Sequence, residues 1–133
     1  MNINDFVTQW HQLVDNRDLG QLDTLLDESA VLVSPVIHKP KEGKQITKMY
    51  LTAALNVFAN DSFKYVREFT RDDGVVLEFE TEINGIHING VDMIKINEEG
   101  KIIEFRVMVR PLKALNLIND MMTNMLTALA VKK

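Results

Sequence analysis

Apolar and polar side chains alternate from Ile86 to Ile96, which is typical of a strand with one buried face. Ile88 and Ile94 lie on the apolar face. Asp92 lies there with them, because successive strand side chains point to opposite sides of a sheet. A carboxyl group directed into an apolar interior needs a hydrogen-bond partner, a proton or a chemical role. Asp92 is therefore the candidate catalytic residue.

The alternation of apolar and polar residues continues on both sides of this stretch. Turn signals at Asp72-Asp73-Gly74, Asn84-Gly85 and Glu98-Glu99-Gly100 divide the region into a four-stranded antiparallel meander. The predicted strands are Ser62–Thr70, Val75–Ile83, Ile86–Ile96 and Lys101–Val109.

Helical spacing of apolar residues dominates the rest of the chain. The predicted helices cover about Asn2–Asn16, a short segment after Asp18, about Lys44–Ala59 and Pro111 to about Ala130. A short strand, Ala30–Ser34, runs into a loop at Pro35. The third helix should bury Ile46, Met49, Tyr50, Ala53, Val57 and Phe58. The last helix has a broad apolar face that includes Met122 and Leu129, and it should close the core or cover a partner.

Length and composition indicate one domain spanning residues 1–133. The net charge of -4 and the scattered lysines argue against nucleic-acid and membrane binding. The chain has no cysteine and only dispersed histidines, so we expect no metal site and no cofactor. The start lacks the apolar segment of a signal peptide, which makes the cytoplasm the expected location.

Three segments resemble the nuclear transport factor 2-like superfamily, in its SnoaL-like and ketosteroid-isomerase-like branch. They are Trp10 to Pro35, Gly90 to Ile102, and Phe105 to Leu112. The resemblance implies an α+β fold shaped like a cone, in which N-terminal helices pack in a strongly curved, mostly antiparallel sheet, with a C-terminal helix added. It also implies a homodimer formed through the outer face of the sheet.

The resemblance has consequences for the chemistry of individual positions. Asp92 matches the position of a protonated aspartic acid that donates to a developing oxyanion in ketosteroid isomerases. Trp10 stands where that family has its oxyanion-hole tyrosine, and Ser34 stands where it has the general-base aspartate. A ketosteroid isomerase reaction with the family's own base is therefore not expected.

The predicted fold encloses an apolar pocket for a small hydrophobic molecule, with Asp92 as its principal polar group. The candidate ligand-binding residues are Trp10, Val14, Ser34, His38, Tyr50, Tyr65, Leu77, Phe79, Ile94, Phe105 and Val107. His11 and His87 are expected on the exterior.

Two features decide the environment of Asp92. A bulge at Gly90 would rotate the strand and expose the carboxyl group. If Tyr65 faces inward, regular alternation brings Arg67 inward as well, and a cation there would keep Asp92 ionised with a lowered pKa. The opposite parity directs Lys64, Val66 and Glu68 inward.

Val91, Met93 and Met108 share the outer face of adjacent strands, which suggests contact with a second copy unless the C-terminal helix covers them. Two functions remain open. The first is cofactor-free proton transfer, of the isomerase, cyclase or hydratase type, in which Asp92 is the acid or base. The second is a non-catalytic domain that binds a small ligand or serves as a dimeric interaction module.

Overall fold

The computed structural model describes residues 2–131, and side chains up to residue 128. Helices and strands follow one another as α1 (Ile3–Asn16), a 3-10 turn (Leu19–Gln21), α2 (Leu22–Leu25), β1 (Leu26–Val33), β2 (Lys41–Glu42), α3 (Lys44–Phe58), β3 (Lys64–Arg71), β4 (Gly74–Ile83), β5 (Ile86–Ile96), β6 (Ile102–Arg110) and α4 (Leu112–Val131). The bounds of β5 are those predicted from its alternation.

All six strands form one curved, mixed sheet in the order β2-β1-β6-β5-β4-β3. The predicted meander is confirmed, since β3, β4, β5 and β6 pair with their neighbours in antiparallel fashion. The predicted α+β class is confirmed as well.

β1 differs from its prediction. It begins at Leu26 rather than Ala30, and it pairs with β6 in parallel, with Leu26 opposite Ile102. Both of these residues are fully buried, so packing across the sheet overrides the helical spacing that extended the preceding helix in the prediction. The two-residue strand β2, which pairs with β1, was not predicted.

α3 is rotated relative to the predicted stripe. Thr47 and Leu51 are buried, whereas Ile46, Met49 and Tyr50 are only half-buried. The Thr47 hydroxyl donates to the Ala30 carbonyl oxygen on β1 at 3.1 Å, and this bond fixes the face that α3 turns to the sheet. A count of apolar residues alone misses such a polar anchor.

α4 lies beside α3 and covers the interior side of the sheet. Ala114 and Ile118 are buried there, while Pro111 precedes the helix and its carbonyl oxygen accepts from the backbone N–H of Ala114. The side chain of Leu129, part of the predicted apolar face, lies outside those described. Across residues 2–131, no helix is long and apolar enough to cross a membrane.

Candidate functional site

The regular pairing of β5 places Asp92 inside the molecule. Asp92 stands opposite Leu77 on β4 and Val107 on β6, and its side chain is 7% exposed. The β4–β5 pairing has no register shift at Gly90, so the bulge that would have exposed Asp92 does not form.

Gly90 supports this regularity by lacking a side chain. The ring of Phe79 packs over it, and a Cβ atom at position 90 would lie 2.5 Å from Phe79 Cζ and 2.7 Å from the Met108 carbonyl oxygen. Only glycine permits the aromatic ring and the neighbouring strand to approach so closely.

Two donors in series lead to the Asp92 carboxyl group. Trp10 Nε1–H donates to the Tyr65 hydroxyl oxygen at 3.0 Å, and the Tyr65 hydroxyl donates to Asp92 Oδ2 at 2.7 Å. An indole can only donate, so its bond occupies the phenol oxygen as an acceptor and leaves the phenol hydrogen for Asp92. We refer to Trp10, Tyr65 and Asp92 as the donor relay.

The second carboxyl oxygen, Oδ1, has no hydrogen-bond partner among the described residues. Every fully buried side-chain nitrogen or oxygen in that part of the chain does have a partner, so Oδ1 retains open surface. Because Asp92 lines an interior cavity, this surface faces the cavity.

Burial controls the ionisation of the relay. Desolvation raises the pKa of Asp92 to about 7, opposed by the hydrogen bond from Tyr65, which favours the charged form. Desolvation, followed by the nearby charge of Asp92, raises the pKa of the Tyr65 hydroxyl well above its ordinary value. Near neutral pH, Tyr65 therefore stays protonated, and Asp92 populates both of its forms.

Arg67 does not pair with Asp92, which decides the alternative that the sequence left open. A register shift between Tyr65 and Arg67 makes Val66 an extra residue in β3, which reverses the alternation. Tyr65 stands opposite Phe79 and faces inward, whereas Arg67 Nε lies on the other side, 3.3 Å from Glu78 Oε1. Asp92 consequently has no arginine partner.

The cavity has a volume of about 90 Å³. Seven aromatic side chains line it, namely Trp10, Tyr50, Phe58, Phe63, Tyr65, Phe79 and Phe105. The loop that follows β1 contributes Ser34, Pro35, Val36 and Ile37, and α4 contributes Ile118, Asn119, Met122, Thr123 and Leu126. Asn119 and Thr123 are exposed, so the mouth lies on the side of α4.

The structure brings eight of the predicted site residues to this cavity: Trp10, Ser34, Tyr50, Tyr65, Phe79, Asp92, Phe105 and Val107. Val14, Leu77 and Ile94 are instead buried in the adjoining core, under α1, and do not line the cavity. His38 is exposed in the loop, away from the lining. A side chain that points inward from a strand or helix thus does not necessarily line the cavity, because packed core residues fill part of the interior.

The cavity residues that the sequence did not single out come chiefly from α4, from α3 and from the loop after β1. The apolar face of α4 was recognised, but which element it covers depends on contacts far apart in the chain. Asn119 and Thr123 are polar residues on a helix surface, and no local pattern distinguishes them from solvent-exposed positions.

The three histidines lie outside the cavity lining. His11 Nε2 lies 3.0 Å from Glu68 Oε1, and its ring meets the Tyr65 ring edge to face at 5.3 Å between centres. His11 is thus half-buried beside the relay rather than on the open exterior, while His87 is exposed and contacts Glu82. Within residues 2–131, no three histidine or carboxylate side chains are grouped to hold a metal ion.

This fold is that of the nuclear transport factor 2-like superfamily, in its SnoaL-like and ketosteroid-isomerase-like branch. The chain belongs to the SnoaL-like domain family, whose sequence profile matches residues 7–105. α4 lies beyond the matched residues, although it lines the cavity.

Solved structures agree with this assignment. A steroid delta-isomerase from Pseudomonas aeruginosa is 36% identical, with a TM-score of 0.90 over 96% of this chain and 93% of that one. A conserved bacterial protein with a cystatin-like fold from Silicibacter pomeroyi is 26% identical, with a TM-score of 0.83 over 92% and 85% of the two chains. A comparison with curated proteins finds no match.

Proposed function

We propose that the cavity binds a small hydrophobic molecule and that Asp92 is the acid–base group of a cofactor-free proton transfer on it. The observation that carries this proposal is the arrangement of the carboxyl group. Oδ2 accepts from Tyr65, while Oδ1 faces an apolar cavity without a partner in the described part of the chain. A group held in this way can take a proton from a ligand and return it.

The donor relay suits Asp92 to act as a base. Tyr65 keeps its proton because its pKa is well above its ordinary value, so it does not compete with Asp92 for a proton. A pKa of about 7 for Asp92 makes the carboxylate available near neutral pH and still basic enough to accept a proton.

The similar protein from Pseudomonas aeruginosa is a steroid delta-isomerase, which supports an isomerisation as the reaction class here. Ser34 stands at the position where ketosteroid isomerases have their base, so in this chain Asp92 would work alone. The cavity of about 90 Å³ is bordered by the exposed Asn119 and Thr123, so one small ring of a ligand can enter while the remainder lies in the mouth.

The test uses cyclohex-3-enone, whose isomerisation to cyclohex-2-enone is followed by the absorbance of the conjugated ketone. Asp92 would remove a proton from the carbon between the carbonyl group and the double bond, and would return it at the far end of the double bond. We expect Asp92→Asn to slow the reaction by roughly 10²–10⁴-fold. Asp72→Asn, the matched control in the exposed turn between β3 and β4, should keep the wild-type rate. We also expect the wild-type rate to rise with pH and level off above about pH 7, since the carboxylate is the active form.

The second candidate is a non-catalytic binding domain, favoured by the absence of any other carboxylate among the described lining residues. Protein NMR shifts on addition of cyclohex-3-enone separate the two. Binding without turnover above the buffer rate supports the binding domain, and no binding rejects the cavity as a site for either function.

We also propose a homodimer through the outer sheet face, in the cytoplasm. Val91 and Met93 are half-buried and Met108 is 51% exposed, whereas α4 covers the opposite face. Sedimentation should give a dimer for the wild type and a monomer for Met108→Asp. A monomeric wild type at all concentrations would reject the interface.

A further inference from the structure

The charge balance of the cavity is one-sided. Asp92 is the only carboxylate among the described lining residues, and that lining includes no lysine, arginine or histidine. When Asp92 ionises, the Tyr65 hydroxyl is the one side chain of the described residues that donates to it. A ligand that brought its own positive charge would supply the missing partner.

The walls of the cavity suit a cation as well. An ammonium group is attracted to the faces of aromatic rings, and such contacts gain strength when they are desolvated. The ring centres of Trp10 and Phe105 lie 5.3 Å apart, and the rings of Phe63, Tyr65 and Phe79 pack against one another. Both groups of rings border the cavity that Asp92 enters.

The direction of the hydrogen bonds in the donor relay also favours a ligand that donates to Asp92. Trp10 donates to Tyr65 and Tyr65 donates to Asp92, so the relay ends at a carboxyl group that can accept one more donor. The oxygen offered to the cavity is Oδ1, and in the ionised group it is an acceptor only.

We propose that the cavity binds a small hydrophobic amine in its ammonium form, with the nitrogen at Asp92 Oδ1 and the hydrocarbon part among the aromatic rings. This rests on the proposed function only in that the cavity takes a small hydrophobic molecule. It goes further by naming the charge of that molecule.

The ionisable groups around Asp92 set the pH dependence. On β3, Tyr65 contacts the carboxyl group, and α1 places His11 against the Tyr65 ring and Asp15 near enough to raise the pKa of Tyr65. On α3, Tyr50 lines the cavity.

Lys41 on β2 places its Nζ 5.9 Å from the centre of the Tyr50 ring, outside the lining. β4, β6 and α4 contribute no titratable residue to the described lining. Among the histidines, only His11 lies beside the relay, so a His11 variant serves as the control for the pH dependence.

The test compares cyclopentylamine with cyclopentanol and methylcyclopentane, three probes of similar shape, by NMR titration of the protein. The amine stays protonated between about pH 6 and pH 8, as a lysine side chain does. Its affinity should increase about tenfold from pH 6 to pH 8, because the ionised fraction of a group with a pKa of about 7 rises about tenfold and the apparent affinity follows that fraction. The two neutral probes should bind more weakly than the amine at pH 8.

Two variants complete the experiment. In Asp92→Asn, the affinity for the amine at pH 8 should fall to the affinity for cyclopentanol. This variant should still bind cyclopentanol, which would show that its cavity is intact. His11→Gln should leave the midpoint of the pH dependence unchanged.

Each remaining outcome has one meaning. If the neutral probes bind and the amine binds no more tightly at pH 8, the amine proposal is overturned and the cavity proposal stands. If the increase with pH disappears in His11→Gln, Asp92 is not the responsible group and the amine proposal is overturned. If no probe binds, both proposals fail together.

Discussion

β5 and β3 both bring a side chain to the relay, but they do so through different kinds of pairing. β5 pairs with β4 without interruption from Lys95, opposite Gly74, to Ile86, opposite Ile83. β3 pairs with the other edge of β4 and carries a register shift after Tyr65. In β5, side chains alternate between the two faces of the sheet along this whole pairing. In β3, the extra residue Val66 reverses which positions face inward.

The difference determines the charge of the site. The unbroken pairing of β5 buries a carboxyl group, and the bulge in β3 directs the phenol of Tyr65 towards it and the cation of Arg67 away. A regular β3 would have placed a cation beside the acid and lowered its pKa. The bulge thus contributes to the raised pKa of Asp92.

The largest expected effect tests the burial of Asp92. Its pKa is raised from 3.8 to about 7, so between these values the folded protein binds more protons than the unfolded chain, and stability falls as pH rises. Asp92→Asn removes this titration. Between about pH 4 and pH 8, the free energy of unfolding of the variant should therefore increase by about 4 kcal/mol relative to that of the wild type. Urea unfolding of both proteins across this range measures the difference, and parallel profiles would show that Asp92 is not buried in its neutral form.

The second prediction disturbs the regular strand itself. Gly90→Ala adds a Cβ atom 2.5 Å from Phe79 Cζ and 2.7 Å from a backbone oxygen, so the strand must shift. We expect a loss of roughly 1–3 kcal/mol or more in the free energy of unfolding. Gly20→Ala is the matched control, because its nearest neighbour is a side-chain oxygen at 3.4 Å, and we expect it to be neutral or to stabilise by about 0.4–1 kcal/mol. Equal effects of the two substitutions would show that Phe79 and the neighbouring strand do not approach Gly90 closely.

The third prediction concerns the inward residue of the bulged strand. Tyr65→Phe removes the hydrogen bond that favours the charged form of Asp92, and it leaves Trp10 Nε1–H without its acceptor. The pKa of Asp92 should rise above about 7, and stability should fall by roughly 1–3 kcal/mol. A carbon-13 NMR titration of the carboxyl group measures the pKa. Tyr50→Phe is the control, since Tyr50 lines the cavity without bonding Asp92, and equal midpoints in the two variants would remove Tyr65 from the relay.

The alternation of β5 and the turn signals beside it predicted its bounds. They also predicted the inward direction of Asp92 for a strand without a bulge at Gly90, and the unbroken pairing with β4 meets that condition. The alternation could not supply the partner of that acid. Tyr65 shares the inward parity before the bulge, but Val66, the extra residue, is neither glycine nor proline and gives no local sign of an irregularity. The docking of α4 on the cavity is likewise a long-range contact, which its apolar spacing does not specify.

The smallest expected effect tests the outward residue of the bulged strand. Arg67 pairs with Glu78 on the outer face, and its side chain is 65% exposed, so Arg67→Gln should change stability by less than about 1 kcal/mol. The titration midpoint of Asp92 should stay at about 7, because no part of the Arg67 charge is needed to balance the buried carboxyl group. If the midpoint rose in this variant, Arg67 would be stabilising the carboxylate, and β3 would have to approach Asp92 with the regular alternation that its bulge interrupts. The NMR titration used for Tyr65→Phe decides the question. Because of the bulge between the two residues, Tyr65→Phe should raise the pKa of Asp92 and Arg67→Gln should leave it unchanged.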